Sequence, residues 1–153
     1  MFYPKGDMTP YLYTAISYFQ LIDSNYNSGW VHCDIEALTI IIYLNRNPNK
    51  NAGTIIYSPK IEGHGTINGN KKQNHFSGVI NEEAGKNYRL ENNNRFQEEI
   101  IIKNKFNRLV AFDSHVPHGV QDYSNDESRL TLVSFIHNLQ VENYPIHTMH
   151  RTI

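Results

Sequence analysis

A short segment, Trp30-Val31-His32-Cys33-Asp34, stands directly before the apolar run of residues 37–44. In an extended backbone residues two apart point to the same side, so His32 and Asp34 present an imidazole and a carboxylate to one point in space. Cys33, between them, is expected to face the other way and pack as a small apolar residue. Further on, Arg108-Leu109-Val110-Ala111-Phe112-Asp113-Ser114-His115-Val116-Pro117-His118-Gly119-Val120 is a strand-like run that ends in a turn and offers two histidines, His115 and His118. One of them would complete a set of two imidazoles and one carboxylate, which grips one face of an Fe(II) ion and leaves its other positions open to small molecules. Read without a metal, His32 and Asp34 are a hydrogen-bonded pair at a strand end. The apolar strand that follows and the downstream histidines favour ligation, and Glu36, one pleat further on, is the weaker carboxylate.

Arg129 opens the run of residues 130–136 in phase with Thr131, Val133 and Phe135. If that face looks inward the guanidinium needs an anion, because a buried unpaired charge is strongly destabilising. A bound dicarboxylate would supply one; the alternative is a solvated strand end paired with Asp126 or Glu127. A buried Tyr43 hydroxyl likewise needs a polar partner. Ile41, Val110 and Val133 are expected to wall such a site against water. His64 and His75 read as surface or substrate-facing groups, and the spacing of His137, His147 and His150 fits no rigid element for a second metal.

These groups have to be positioned by strands. Residues 14–22 are dense in Tyr, Ile and Phe, which suit a pleated surface, and residues 23–29 form an Asn-, Ser- and Gly-rich turn. Residues 39–44 read as a strand apolar on both faces, as for one covered on both sides. A surface loop at 45–51 and a short strand at 53–57 follow. From 62 to 97 periodicity dissolves among glycine, asparagine and lysine. A stretch longer than about 15 residues inside a domain is usually functional, so an irregular insertion or lid is expected at about 62–97, with a short helix near 82–90. Residues 98–102, 108–112, 116–120 and 129–136 restore short strands, and the tail from Asn138 has no periodicity. Many short strands with little helix predict a mainly β sandwich or barrel.

The 153 residues fit a single domain, residues 1–153. Charges nearly cancel, 14 basic against 15 acidic, so small or neutral partners are favoured and no nucleic-acid partner is expected. The tyrosines near the start have no basic stripe beside them to make a stacking platform for bases. The single cysteine excludes an intrachain disulfide and favours a reducing compartment. There is no basic-then-apolar leader, and the apolar runs 37–44 and 130–136 fall far short of the roughly 20 residues that span a bilayer as a helix. A cytoplasmic protein without membrane contact is expected.

Taken in order, His32-Cys33-Asp34, Tyr43-Leu44-Asn45, Ala52-Gly53-Thr54, Asn107-Arg108-Leu109-Val110-Ala111-Phe112 and His118 followed by Arg129-Leu130-Thr131-Leu132 make a set. The set resembles the Fe(II)- and 2-oxoglutarate-dependent dioxygenases, on the branch similar to prolyl 4-hydroxylases, over residues 16–135. The resemblance implies a double-stranded β-helix, the jelly roll of cupin-like folds. It implies Fe(II) held by His32, Asp34 and His118, and 2-oxoglutarate as co-substrate with its distal carboxylate on Arg129 and Tyr43. It favours His118 over His115 because that family's distal histidine follows the strand and its turn, about ten residues before the arginine. The implied activity consumes dioxygen, releases succinate and carbon dioxide, and hydroxylates an unidentified substrate, either a small molecule or a peptide such as a prolyl side chain.

Two features depart from the pattern. Ala52-Gly53 stands where Gly-Gly is usual, and the roughly thirty residues before His32 are too few for the helices that brace the main sheet in that family. A homodimer or a compact barrel is therefore expected. Two other classes stay open: a cupin-like metalloenzyme that uses the same triad without 2-oxoglutarate, and so needs neither Arg129 nor Tyr43, and a non-catalytic β-sandwich binding module.

Overall fold

A computed structural model describes residues 12–23, 29–62, 69–120, 122–123 and 128–140. Their elements, in chain order, are β1 (Leu12–Ile22), β2 (Leu38–Tyr43), β3 (Thr54–Pro59), α1 (Gly69–Phe76), α2 (Glu82–Asn93), β4 (Phe96–Ile102), β5 (Leu109–Asp113), β6 (His118–Gly119) and β7 (Arg129–Gln140). The architecture is mainly β. A four-stranded sheet has the order β1-β7-β2-β5 and a three-stranded sheet the order β4-β3-β6, with every neighbour antiparallel.

The four-stranded sheet owes its two faces to residue alternation. Ile41 pairs with Val133 and Val110, and Val133 pairs with Tyr18, which makes an inward row. Thr39, Ile41 and Tyr43 on this face are buried. Ile41, Tyr43 and Val110 form a hydrophobic cluster with Ile102 and Phe112 packed against it. One residue along, Phe19, Leu132, Ile42 and Leu109 pair across the sheet in an outward row. Its ends are bare: Phe19 is 72 % exposed and Leu109 59 %. The expectation that β2 is covered on both sides is thus corrected, since Leu38, Ile40 and Ile42 are only half buried. An antiparallel sheet can leave one face to water, and apolar composition alone does not show which strands do so.

The stretch expected to be irregular apart from a short helix near 82–90 holds two helices, α2 over and beyond the expected span and α1 before it. Asn81 caps α2 by accepting a 2.8 Å hydrogen bond from the Ala84 amide, with Glu82 and Glu83 in the first turn and a Glu82–Lys86 ion pair of 3.2 Å one turn on. Local capping and charge therefore build the helix where no apolar stripe announces it. The strand expected over 116–120 shrinks to two residues, because Val116 donates back to the Asp113 carbonyl (3.1 Å) in a turn and Pro117 has no N–H to give. β7 runs on through Gln140, past the point where periodicity fails. Gly53 answers a close approach, since a Cβ there would overlap the Ile102 carbonyl. Among the described residues no helix is long and apolar enough to cross a membrane.

Candidate metal centre

The segment 29–34 lies beside β6 and is locked to it by backbone bonds. His32 N–H donates to the His118 carbonyl (2.9 Å) and His118 N–H to the His32 carbonyl (2.8 Å), so the two histidines face each other as one antiparallel bridge. Asp34 N–H donates to the Ser114 carbonyl (2.8 Å) and Gly29 N–H to the Val120 carbonyl (2.8 Å). From the other side α2 holds the same segment. Asn92 Nδ2 donates to the Val31 carbonyl (2.8 Å) and Asn93 Nδ2 to the Gly29 carbonyl (2.8 Å), while Val31 N–H donates to Asn93 Oδ1 (2.9 Å).

This frame brings His32, Asp34 and His118 together, with one ligand atom from each lying within 4.8 Å of the others. His32 Nε2 stands 3.6 Å from Asp34 Oδ1 and His118 Nε2 3.3 Å from Asp34 Oδ2. The ring centroids of the two histidines are 4.4 Å apart. His32 Nδ1 lies 2.8 Å from the Trp30 carbonyl and His118 Nδ1 2.9 Å from the Val116 carbonyl. A carbonyl can only accept, so each Nδ1 carries a proton and each ring turns its Nε2 toward Asp34. Two Nε2 atoms and a carboxylate aimed at one point need a cation among them, a proton or a metal, and carbonyl-oriented histidines are the usual support of a metal ligand. The donor set therefore fits a divalent transition metal.

Electrostatics keeps His32 in the ligating form. Burial, with the charges of Lys72 and His118, lowers its pKa to about 4 against the opposing pull of the Trp30 carbonyl and Asp34. Burial by itself would raise the Asp34 carboxyl, but the hydrogen bond from His118 and the charges of His32, His118 and Lys72 outweigh it and hold the group below its ordinary value. Phe112 sets its ring edge-on to His118 at 4.7 Å.

His32, Asp34 and His118 all border a cavity of about 530 Å³, and so does Arg129. Arg129 is 4 % exposed; its Nε donates to the Ala52 carbonyl (2.8 Å), and its guanidinium lies 5.5 Å from the Tyr43 ring centre and 6.0 Å from that of Tyr123. Among the described residues it has no ion pair, and Asp126 and Glu127 lie outside them. Tyr43 is fully buried and donates its hydroxyl to Thr54 Oγ1 (2.7 Å) rather than toward the arginine; it is Thr54 that borders the cavity. Ile41 and Val133 line the cavity, and Val110 packs behind them.

Other expectations resolve as follows. His115 is exposed, with Nδ1 3.0 Å from Asp113 Oδ1, and takes no part in the cluster. Cys33 is exposed, a correction to the expected apolar packing: the bridge that turns His32 inward leaves the next side chain outside. His75 sits in α1 beside Trp30, with ring centres 6.3 Å apart. His64, His147 and His150 lie outside the described residues. The cavity also receives Thr54, Tyr123, Lys72 and Arg89, none of which is given a role by the sequence alone.

No curated protein matches the chain. A family profile does, described as a family of unknown function, DUF6445, over residues 22–136, a span that takes in β2 to β6, most of β7 and all three candidate ligands. The chain belongs to that family.

Proposed function

We propose that this chain is an Fe(II)- and 2-oxoglutarate-dependent oxygenase that hydroxylates an organic substrate. The observation that carries the reading is the convergence of His32, Asp34 and His118 in the same cavity as a buried arginine without an ion pair among the described residues. The topology supports it. Counting the His32 bridge as a minimal strand beside β6, the chain visits the two sheets alternately except at the β3–β4 connection, giving β1-β7-β2-β5 against bridge-β6-β3-β4. Two facing antiparallel sheets of four members each, visited in this alternating way, favour a double-sheet jelly roll as the finer reading of this mainly β fold.

Fe(II) and 2-oxoglutarate, when bound, supply dioxygen activation and hydroxylation of a C–H bond, with succinate and carbon dioxide as the other products. The chain's part is to bind, orient and exclude water. His32, Asp34 and His118 would hold the metal on one face. Arg129 would take the distal carboxylate in a charge-assisted bond that relieves its own unpaired burial. Tyr43 donates to Thr54, which leaves the Thr54 hydroxyl proton free to point at that carboxylate, so Tyr43 acts through Thr54. Ile41 and Val133 keep the intervening space dry.

The test is titration of the protein under nitrogen with Mn(II) and 2-oxoglutarate. A ligand at 100 times its dissociation constant adds about 2.7 kcal/mol to stability. We expect Asp34→Ala to abolish the metal effect and Arg129→Met to keep it while losing the response to 2-oxoglutarate. With Fe(II) in air, the wild type should release succinate. Metal binding with no response to 2-oxoglutarate would move the chain to the cupin-like class, and no metal binding to the class of binding modules.

A further inference from the structure

The cavity has a second cationic region besides Arg129. Lys72 of α1 and Arg89 of α2 both border it. The buried residues of α2 are Gly85, Arg89 and Asn92, none with an apolar side chain. Asn92 is spent on the Val31 carbonyl, and Gly85 makes room for the His75 ring, which a Cβ there would overlap. Arg89 is left over. It is 8 % exposed, its Nε has no hydrogen-bond partner, and the carboxylate that acts on it through space, Glu82, is exposed and already paired with Lys86. Lys72 stands near enough for its charge to act on both His32 and Asp34, and Asp34, the carboxylate acting on it in return, is committed to the metal set. Burial disfavours both cations, lowering Lys72 and Arg89 alike. Among the described residues neither cation has an ion pair, and two cations turned into a cavity unpaired are strongly destabilising unless a ligand neutralises them. On the proposed reading, the metal ligands and Arg129 would hold 2-oxoglutarate, leaving Lys72 and Arg89 to a second anion.

We infer that the substrate handled at this centre is an acid, and that Lys72 and Arg89 bind its carboxylate or phosphate under the two helices. The inference rests on the oxygenase reading for the word substrate, but the anion subsite can be tested apart from it. Inorganic phosphate and acetate serve as probes, titrated calorimetrically into metal-free protein. At least one is expected to bind, with affinity reduced about tenfold or more by Lys72→Met and by Arg89→Met, since each removes a charge-assisted contact, and unchanged by Arg129→Met. Phosphate as the tighter probe indicates a phosphorylated substrate, and acetate a carboxylic acid. The response to 2-oxoglutarate with Mn(II) should show the reverse pattern, lost in Arg129→Met and kept in Lys72→Met. Without probes, Arg89→Met should melt no lower than the wild type, as befits the loss of an unpaired buried cation, and Lys72→Met, at a half-buried helical position, carries the test if Arg89→Met does not fold. Failure of both probes to bind, or binding indifferent to Lys72→Met and Arg89→Met, overturns the inference. Probe binding with the expected pattern, beside a failed 2-oxoglutarate titration, removes the oxygenase reading and keeps the anion subsite.

Discussion

His32 shows how much of the site is decided within single side chains. Its ring is held as the Nδ1–H tautomer by the Trp30 carbonyl, and its folded-state pKa of about 4 lies below the ordinary 6.5. Below pH 6.5 the unfolded chain therefore takes up a proton that the fold refuses. The contribution of His32 to stability is complete above that pH and drains away as pH falls toward 4. Urea denaturation of metal-free protein at pH 7, 5.5 and 4 should show the stability difference between wild type and His32→Gln falling by about 1–3 kcal/mol across the window. A difference that stays flat, or grows on acidification, contradicts the assignment. Asp34, held low, acts in a separate window below 3.8, where its stabilisation is lost on further acidification. At this scale the sequence is legible where two-residue periodicity or strand phase links the groups, as for His32 with Asp34 and Arg129 with Val133. It is silent on Lys72 and Arg89, whose importance comes only from the direction their helices face.

Among the elements, α2 is the one whose role differs most from expectation. Its C-terminal asparagines hold the segment that carries His32, so it braces the candidate ligands as well as bordering the cavity. Asn92 is 1 % exposed, and Asn92→Ala leaves the Val31 carbonyl unsatisfied, at about 1–3 kcal/mol. We expect a matching loss in chemical denaturation and a weaker hold on Mn(II), with no change in helix content by circular dichroism. Gly53→Ala is expected to be worse than its size suggests, because the added methyl meets the backbone of Ile102 and Asn104, which cannot swing aside. Thermal melting of that variant by several degrees below wild type is the expected readout; an unchanged melt would show that the β3–β4 register has slack. The strands could be read in the sequence because β-branched and aromatic runs are bounded by Asn, Gly and Pro. The helices were legible only at Asn81 and its following glutamates, since neither has an apolar stripe to set a period.

For the molecule as a whole, the two sheets divide the work. Their facing sides enclose the cavity, and the outward row Phe19-Leu132-Ile42-Leu109 is left to solvent at its ends. Phe19→Ser and Leu109→Ser, at exposed positions, should each shift stability by no more than about 0.5 kcal/mol while raising solubility. A loss of 2 kcal/mol or more in a denaturant titration would mean that this face is covered in solution.

The mutual bonds between His32 and His118, together with the Asp34 amide on Ser114, fix the donors without help from any ion. A metal bound there would be a lodger and not a scaffold: stripping it with a chelator should leave far-ultraviolet dichroism intact, and one divalent ion should replace another in seconds with no refolding phase. Such a centre would be readily poisoned by a competing metal and as readily restored.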